Sequence, residues 1–546
     1  MGGGANLLNS PETGDNSGFE APENDEKNEE EYIVTYKTYQ DYFTDLNITA
    51  ETITENDLVG NGSLANPYIV RSTRGFLWVF GYDYSKISLA NKFVEIGCDI
   101  ILNEEKFDEN GNISGGDGTV YNWKTPTAKY VKNLNINGKN HSIYGSFFYD
   151  PLLNESITLF GGAYPDNYYI NNISNLTLIN CYFYARSVSA LSGCCRTIQN
   201  CIVSGYIYGR LGASAYVGLG GDIINCENYA KISSSDGSVA GTAAFMQEVY
   251  FGNPKILNSN NHGDIFGGGR HIGGFIGQAT GNLFIENSNN YGKIYSEKGA
   301  WLGGFAGIVR KATVKNCSNN VDIVASGSYC GGLFGLVENG NVIINGLTMK
   351  GSINKISGYQ YGFLFGVVRE NTTNKVNIQI KDSVLICNGD RKFVGEHQAS
   401  IETKIEIISS QIILETKNVI KKFSIIPGYS RVVKYYFRDI KIEVKNEECE
   451  ELRFGDNTAG NIVIKNCLIE GKNINSVLIN HSKTDGLLII NKTGFNNYFH
   501  GTDFSGFYCD YKTGKIGLKA LSGKGFFQGS VTEQVLLEKG FEKKTI

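Results

Sequence analysis

Proline is scarce in this 546-residue chain, at eight residues, and methionine and tryptophan stand at three each. Beside 67 glycines, that scarcity excludes a collagenous or proline-rich disordered chain and leaves a turn-rich all-β protein. Charged residues make up only 19%, and no run of about 18 apolar residues occurs, so no membrane span is expected. The amino terminus lacks a basic region followed by an apolar segment, so no secretory signal is expected. Met1-Gly2-Gly3-Gly4-Ala5-Asn6 misses the myristoylation pattern at Asn6. The six histidines (His141, His262, His271, His397, His481, His500) show no metal-ligand spacing, and no Cys-x-x-Cys pair exists. Neither a Gly-x-Ser-x-Gly elbow nor a phosphate loop is present. No metal, no cofactor and no catalytic residue set is therefore expected, and the chain reads as a non-enzyme.

Net charge is −5, unevenly spread. Residues 1–31 hold nine Asp or Glu against Lys27, a local −8, so the remainder is +3. A body so near neutral is not expected to bind nucleic acid by neutralising phosphates.

What the chain does have is repetition. Ile256-Leu-Asn-Ser-Asn-Asn-His-Gly-Asp-Ile265 returns as Ile285-Glu-Asn-Ser-Asn-Asn-Tyr-Gly-Lys-Ile294 and as Val314-Lys-Asn-Cys-Ser-Asn-Asn-Val-Asp-Ile323. A degraded fourth copy runs Ile343–Ile353, which puts the marker asparagines at Asn258, Asn287, Asn316 and Asn345, 29 residues apart. A second phrase follows each marker. Its glycines are Gly273 and Gly277, Gly303 and Gly307, Gly331 and Gly335, and, in a looser copy, Gly366. Each phrase alternates apolar with small or polar residues, the pattern of a strand with one face in a core. A 29-residue turn cannot cover its own apolar face, so successive turns must stack as a solenoid of parallel strands. The marker asparagines are then expected to form a ladder along the axis, with the glycines where the chain turns or passes close to its neighbour.

The Asn-Cys-x-Asn and Gly-Gly-Phe-x-Gly phrases resemble GLUG-type repeats, known from bacterial surface proteins and phage appendages. The resemblance implies a right-handed parallel β-helix. Gly60-Asn-Gly-Ser-Leu-Ala-Asn-Pro-Tyr-Ile-Val70 is similar to the phrase that precedes such repeats. Phe93–Leu102 and Ile136–Gly145 are similar to strands that follow it, with Asn137 and Lys139-Asn140 departing from the pattern. Near the other end, Tyr511–Gly517 followed by Gly525–Glu533 resembles the tail ends of phage fibre proteins.

The fold expected is all-β: a right-handed parallel β-helix of about a dozen turns, an unstructured arm and a small cap. Residues 1–31 are the acidic extended arm, too polar to fold alone. Residues 32–58 form a cap or docking segment, a short strand and one helix. Residues 59–500 form the β-helix, and 501–546 a C-terminal cap made of a hairpin turning at Thr513-Gly514 and a helix capped by Ser530. Markers outside the regular block are Asn180, Asn200 and Asn225 before it and Asp382, Ser410, Asp439, Asn466 and Asn491 after it. Cys181, Cys201, Cys226, Cys317 and Cys467 follow a marker, where Ser259 and Ser288 also occur; the slot wants a small buried side chain.

Asp264, Glu286 and Asp322 interleave with Lys293, Lys315 and Lys350, which reads as a solvated face and not as the carboxylate pair of a glycosidase. Phe275, Phe305 and Phe334 fill the interior, while Tyr206, Tyr208, Tyr216, Tyr229 and Tyr291 are open to either role, core or glycan stacking. The function expected is a virion appendage of a bacteriophage, a tail or head fibre or decoration protein assembled in the host cytoplasm. It would dock to other virion proteins through residues 1–58 and present the β-helix to a host-surface glycan or protein, a homotrimer being one arrangement such fibres adopt. The alternatives are a bacterial cell-surface adhesin and a polysaccharide-degrading tailspike.

Overall fold

The computed structural model describes residues 34–531 apart from 82–86, 125–130, 163–168, 237–240, 250–251, 297–300, 321, 327–328, 356–359, 370–374, 389–391, 399–402, 416–418, 421–422, 426–432, 447, 451, 455–460, 472–475, 492–496, 500–503, 511–514 and 519–528. The acidic arm, residues 1–31, lies outside the described residues. The chain winds into a parallel β-solenoid of about 11 turns, 60% strand with two short helices. One turn shows the construction. Strands Lys255–Leu257, Asn260–Asn261, Ile265–Gly267, His271–Gly273 and Ile276–Glu286 follow one another around the axis. Each pairs in parallel with its counterpart above: Ile256 with Ile285, Asn261 with Asn290, Ile265 with Ile294, Ile272 with Leu302, Ile276 with Ala306. Alternation in the sequence becomes inside and outside. Ile256, Ile265, Ile272 and Ile276 are wholly buried, while Lys255, Leu257 and Phe266 beside them are not.

Large rings occupy the interior in a column. Tyr216, Phe245, Phe275 and Phe305 succeed one another at 5.2, 5.4 and 4.7 Å between ring centroids, all fully buried. Each such ring contributes roughly 1.5–3 kcal/mol by leaving water. Phe334 is also buried, and it stacks on Phe365.

The first turn is closed by more than the single helix expected of residues 32–58. Strand Thr35–Lys37 leads into helix α1 (Tyr39–Asp45), capped by Thr38. A second helix, α2 (Thr73–Phe80), is begun by Ser72, whose hydroxyl accepts the Gly75 N–H at 3.0 Å. Phe76, Leu77, Val79 and Phe80 are buried, and Phe80 meets Phe160 edge-on at 5.0 Å, so α2 plugs the open core. At the other end parallel pairing gives way to antiparallel. Phe504–Asp510 runs back along Ser476–Ser482 and forms a hairpin with Lys515–Leu518. Ser530 does not begin a helix: Gly529–Val531 is a strand paired with Ile516–Leu518, because the exposed hairpin edge recruits its backbone. The rest of the expected helix lies outside the described residues.

Candidate functional site: columns of like side chains and an outer groove

From Asn175 to Asp439 the described turns share a corner with positive φ. Asn258, Asn287 and Asn316 adopt φ near 50°, a conformation asparagine tolerates and β-branched residues avoid. The corner begins at Asn175, whose amide donates back to Asn137 at 2.9 Å, and passes through Asn200 and Asn225. Each carboxamide donates to the one before it: Asn200 to Asn175 at 2.8 Å, Asn225 to Asn200 at 3.0 Å, Asn258 to Asn225 at 3.0 Å, Asn287 to Asn258 at 3.2 Å. Asn345 stands one position short of this column. It pairs with Lys315, and Gly346, at φ +69°, takes the corner above Asn316. The step there is 30 residues, since the turn before it is lengthened. Three outlying markers shift likewise. Asn175 replaces Asn180, Ser409 replaces Ser410, and Asn491 pairs with Gly471. Asn180 is a separate corner whose side chain bonds Glu105 and Phe107.

A second column runs inside the coil. Asn228, Asn261, Asn290 and Asn319 are fully buried, and each donates to the next at 2.7, 2.8 and 3.2 Å. Asn290 and Asn319 also donate to the Gly304 and Gly332 carbonyls. A buried amide without partners is costly, so this ladder holds only if it is continuous. The pairs Asn260-Asn261, Asn289-Asn290 and Asn319-Asn320 of the first three copies were its signal in the sequence. From Cys201 to Cys317 the small slot after the outer corner is a hydroxyl or thiol that bonds its own turn and a neighbouring one. Ser259 Oγ accepts from Cys226 N and donates to Leu257 O. Cys201, Cys226 and Cys317 sit there buried, and burial pushes the Cys317 thiol up to about 11. Cys181 is buried at the separate corner, its thiol raised to about 12 by burial.

The phrase glycines lie where two strand layers press backbone on backbone. A Cβ on Gly273, Gly303 or Gly331 would overlap the carbonyl of Ile276, Ala306 or Phe334. One on Gly277, Gly307, Gly335 or Gly366 would come within 2.5–2.7 Å of backbone atoms of the preceding coil.

On the outer face, aromatic side chains stand in register. Tyr149 pairs with Tyr184, Tyr184 with Tyr208, Tyr208 with Ser233, Ser233 with Phe266 and Phe266 with Tyr295. Tyr184 and Tyr208 stack at 4.4 Å. Alongside run Phe147, Tyr182 and Tyr206. The hairpin Lys106–Phe107 and Ile113–Ser114, an insertion between early turns, folds over this column: Phe107, Phe147 and Tyr182 are buried together. Its tip, Glu109 and Asn110, forms one wall of a groove of about 660 Å³ lined also by Tyr206, Tyr208, Lys231 and Phe266. Lys231 bonds Glu109 and lies over the Phe266 ring at 4.8 Å.

A shorter exposed stack stands next to it. His262 lies between Tyr229 and Tyr291, at 4.6 and 5.1 Å, and its Nε2 is 2.9 Å from Glu227. Of the five undecided tyrosines, Tyr216 belongs to the core, its hydroxyl donating to Glu227 O at 2.6 Å, and the other four lie on the outside. Asp264 and Asp322 accept backbone N–H groups of Lys293 and Ser352 at 2.8 and 2.9 Å, so they brace turns. His397 is buried with its Nε2 against the Tyr435 hydroxyl. The side chains of His481 and His500 lie outside the described residues. Among the described residues no helix is long and apolar enough to cross a membrane, and no group of three His, Cys, Asp or Glu is placed to hold a metal ion. Comparison with family models, with curated proteins and with solved structures finds no match.

Proposed function

We propose that the protein is a virion appendage of a bacteriophage, a stiff fibre or decoration protein that docks through residues 1–58 and offers its outer aromatic face to a glycan on the host surface. The observation that carries this reading is the groove at Tyr206, Tyr208 and Phe266. A row of outward rings beside a Lys–Glu pair suits sugar C–H faces and hydroxyls, and its rings stand on strands paired in parallel from turn to turn. The resemblance of the repeats and of the C-terminal phrase to phage appendages supports the placement on a virion. Antibody raised against the chain is expected to label purified particles and to block their adsorption to host cells. Label on bacterial envelopes and none on particles would replace the virion with a cell-surface adhesin.

A further inference from the structure

We propose that the break in the outer ring column at Ser233 is a slot for one neutral hexopyranose unit of a glycan; this deepens the attachment reading and rests on it. The column reads Tyr149, Tyr184, Tyr208, Ser233, Phe266, Tyr295 along the axis. Aromatic rungs in this molecule sit one strand apart, as Tyr184 and Tyr208 do at 4.4 Å. Ser233 supplies no ring, so Tyr208 and Phe266 are two strand spacings apart, ~9.5 Å. A flat ring packed against both would need only ~7–8 Å and would rattle. A pyranose chair is thicker, because its axial C–H bonds stand off the mean plane, and it presents those C–H bonds to both aromatic faces. The space is kept open by small neighbours. Ser235 pairs off with the Tyr208 hydroxyl at 2.8 Å, and Gly268, packed against the Ser235 carbonyl, carries no side chain.

The polar groups at the edge set the class of sugar. Lys231 and Glu109 are bonded to each other and half-exposed, so the mouth carries both charges and no net one. A ring hydroxyl can accept from the ammonium and donate to the carboxylate together. A uronate would be drawn by Lys231 and repelled by Glu109 at the same mouth. An entering ring takes the place now held by the ammonium over Phe266. Glu109 comes from the inserted hairpin, 122 residues before Lys231, so the site exists only in the wound chain.

The test is saturation-transfer NMR on the full chain with the methyl glycosides of glucose, galactose and mannose, and with methyl glucuronide. Transfer to the ring C–H protons of at least one neutral glycoside is expected, with weaker transfer to the glucuronide. Ser233→Phe completes the ring column and is expected to keep the melting temperature while abolishing transfer. Phe266→Ala should weaken binding about ten-fold, and Leu64→Ala, on a remote exposed residue, should change nothing. No transfer from any neutral glycoside, or undiminished transfer in Ser233→Phe, overturns the slot. If Ser233→Phe fails to fold, Phe266→Ala decides, and unchanged affinity overturns it. Binding of the same proteins to host cells separates the two readings: cells bound equally by wild type and Ser233→Phe leave attachment standing without the slot, and cells bound by neither remove attachment itself.

Discussion

The regular block, Ile256 to Gly366, and the turns that follow it, Asn377 to Val444, are wound alike but filled differently. In the block the inner position is a buried asparagine, Asn261, Asn290 and Asn319 in succession. The change begins in the last turn of the block, where the same position is Met349, and it continues above as Leu385, Ile412 and Ile442. The corner changes less: Asn258, Asn287 and Asn316 give way to Gly346, Asp382, Ser409 and Asp439, all with positive φ. The coil therefore demands a corner that turns left-handed. It accepts either an amide ladder or an aliphatic row behind it, and where the two meet, at Asn319 beside Met349, the last amide donates to the Gly332 carbonyl.

Glycine at the fold-back should be the point where the block is most easily broken. Gly303→Ala places a Cβ against the Ala306 carbonyl, where neither layer can yield, and is expected to cost on the order of 4 kcal/mol in denaturant unfolding. A loss under about 1 kcal/mol would show that the layers are not locked by glycine.

The inner columns can be set against one another directly. Asn290→Leu severs the ladder, leaving Asn261 and Asn319 with an apolar neighbour, and should destabilise by about 2–3 kcal/mol. Replacing Asn228, Asn261, Asn290 and Asn319 together by leucine should cost less than four times the single change, since no amide is left unpaired. Additive losses would sink the idea that continuity is what matters.

Acid sharpens the same contrast. Burial lowers His397 to about 3 and His271 to about 4 from the usual 6.5. The unfolded chain therefore binds more protons than the folded one across that interval. The stability these groups confer is complete above pH 6.5 and is lost as pH falls toward 4 and 3. Unfolding midpoints measured between pH 7 and 4 should fall, and His397→Phe should flatten the slope.

The smallest effect is expected at the corner. Asn287→Ala forces alanine into the left-handed region at ~1–2 kcal/mol, whereas Asn287→Gly should lie within about 0.5 kcal/mol of wild type, since Gly346 already fills that place one turn on. Equal losses for the two would mean that the amide hydrogen bond, and not the backbone, sets the requirement.

The slip at Asn345 shows how far the text of the repeats can be read. Asn345 and Gly346 are neighbours, and both residue types suit positive φ, so a 29-residue step and a 30-residue step fit the letters equally well. Backbone pairing with Lys315 settled which one holds. Asn180 misled for the same reason, being a second left-handed corner five residues after Asn175. Helix α2 did carry a local signal, Ser72 before the apolar run Phe76–Phe80, and it was masked by the strand-like phrases on either side.

The repeat, its alternation and its glycine phrases were determined by the sequence alone, because each is a short-range pattern that only a stacked coil can bury. Which face each tyrosine takes, and the meeting of Glu109 with Lys231 over Phe266, were decided only when the turns were stacked and an insertion folded back across them. Register and long-range closure depend on the summed fit of whole turns, and no local phrase encodes that sum.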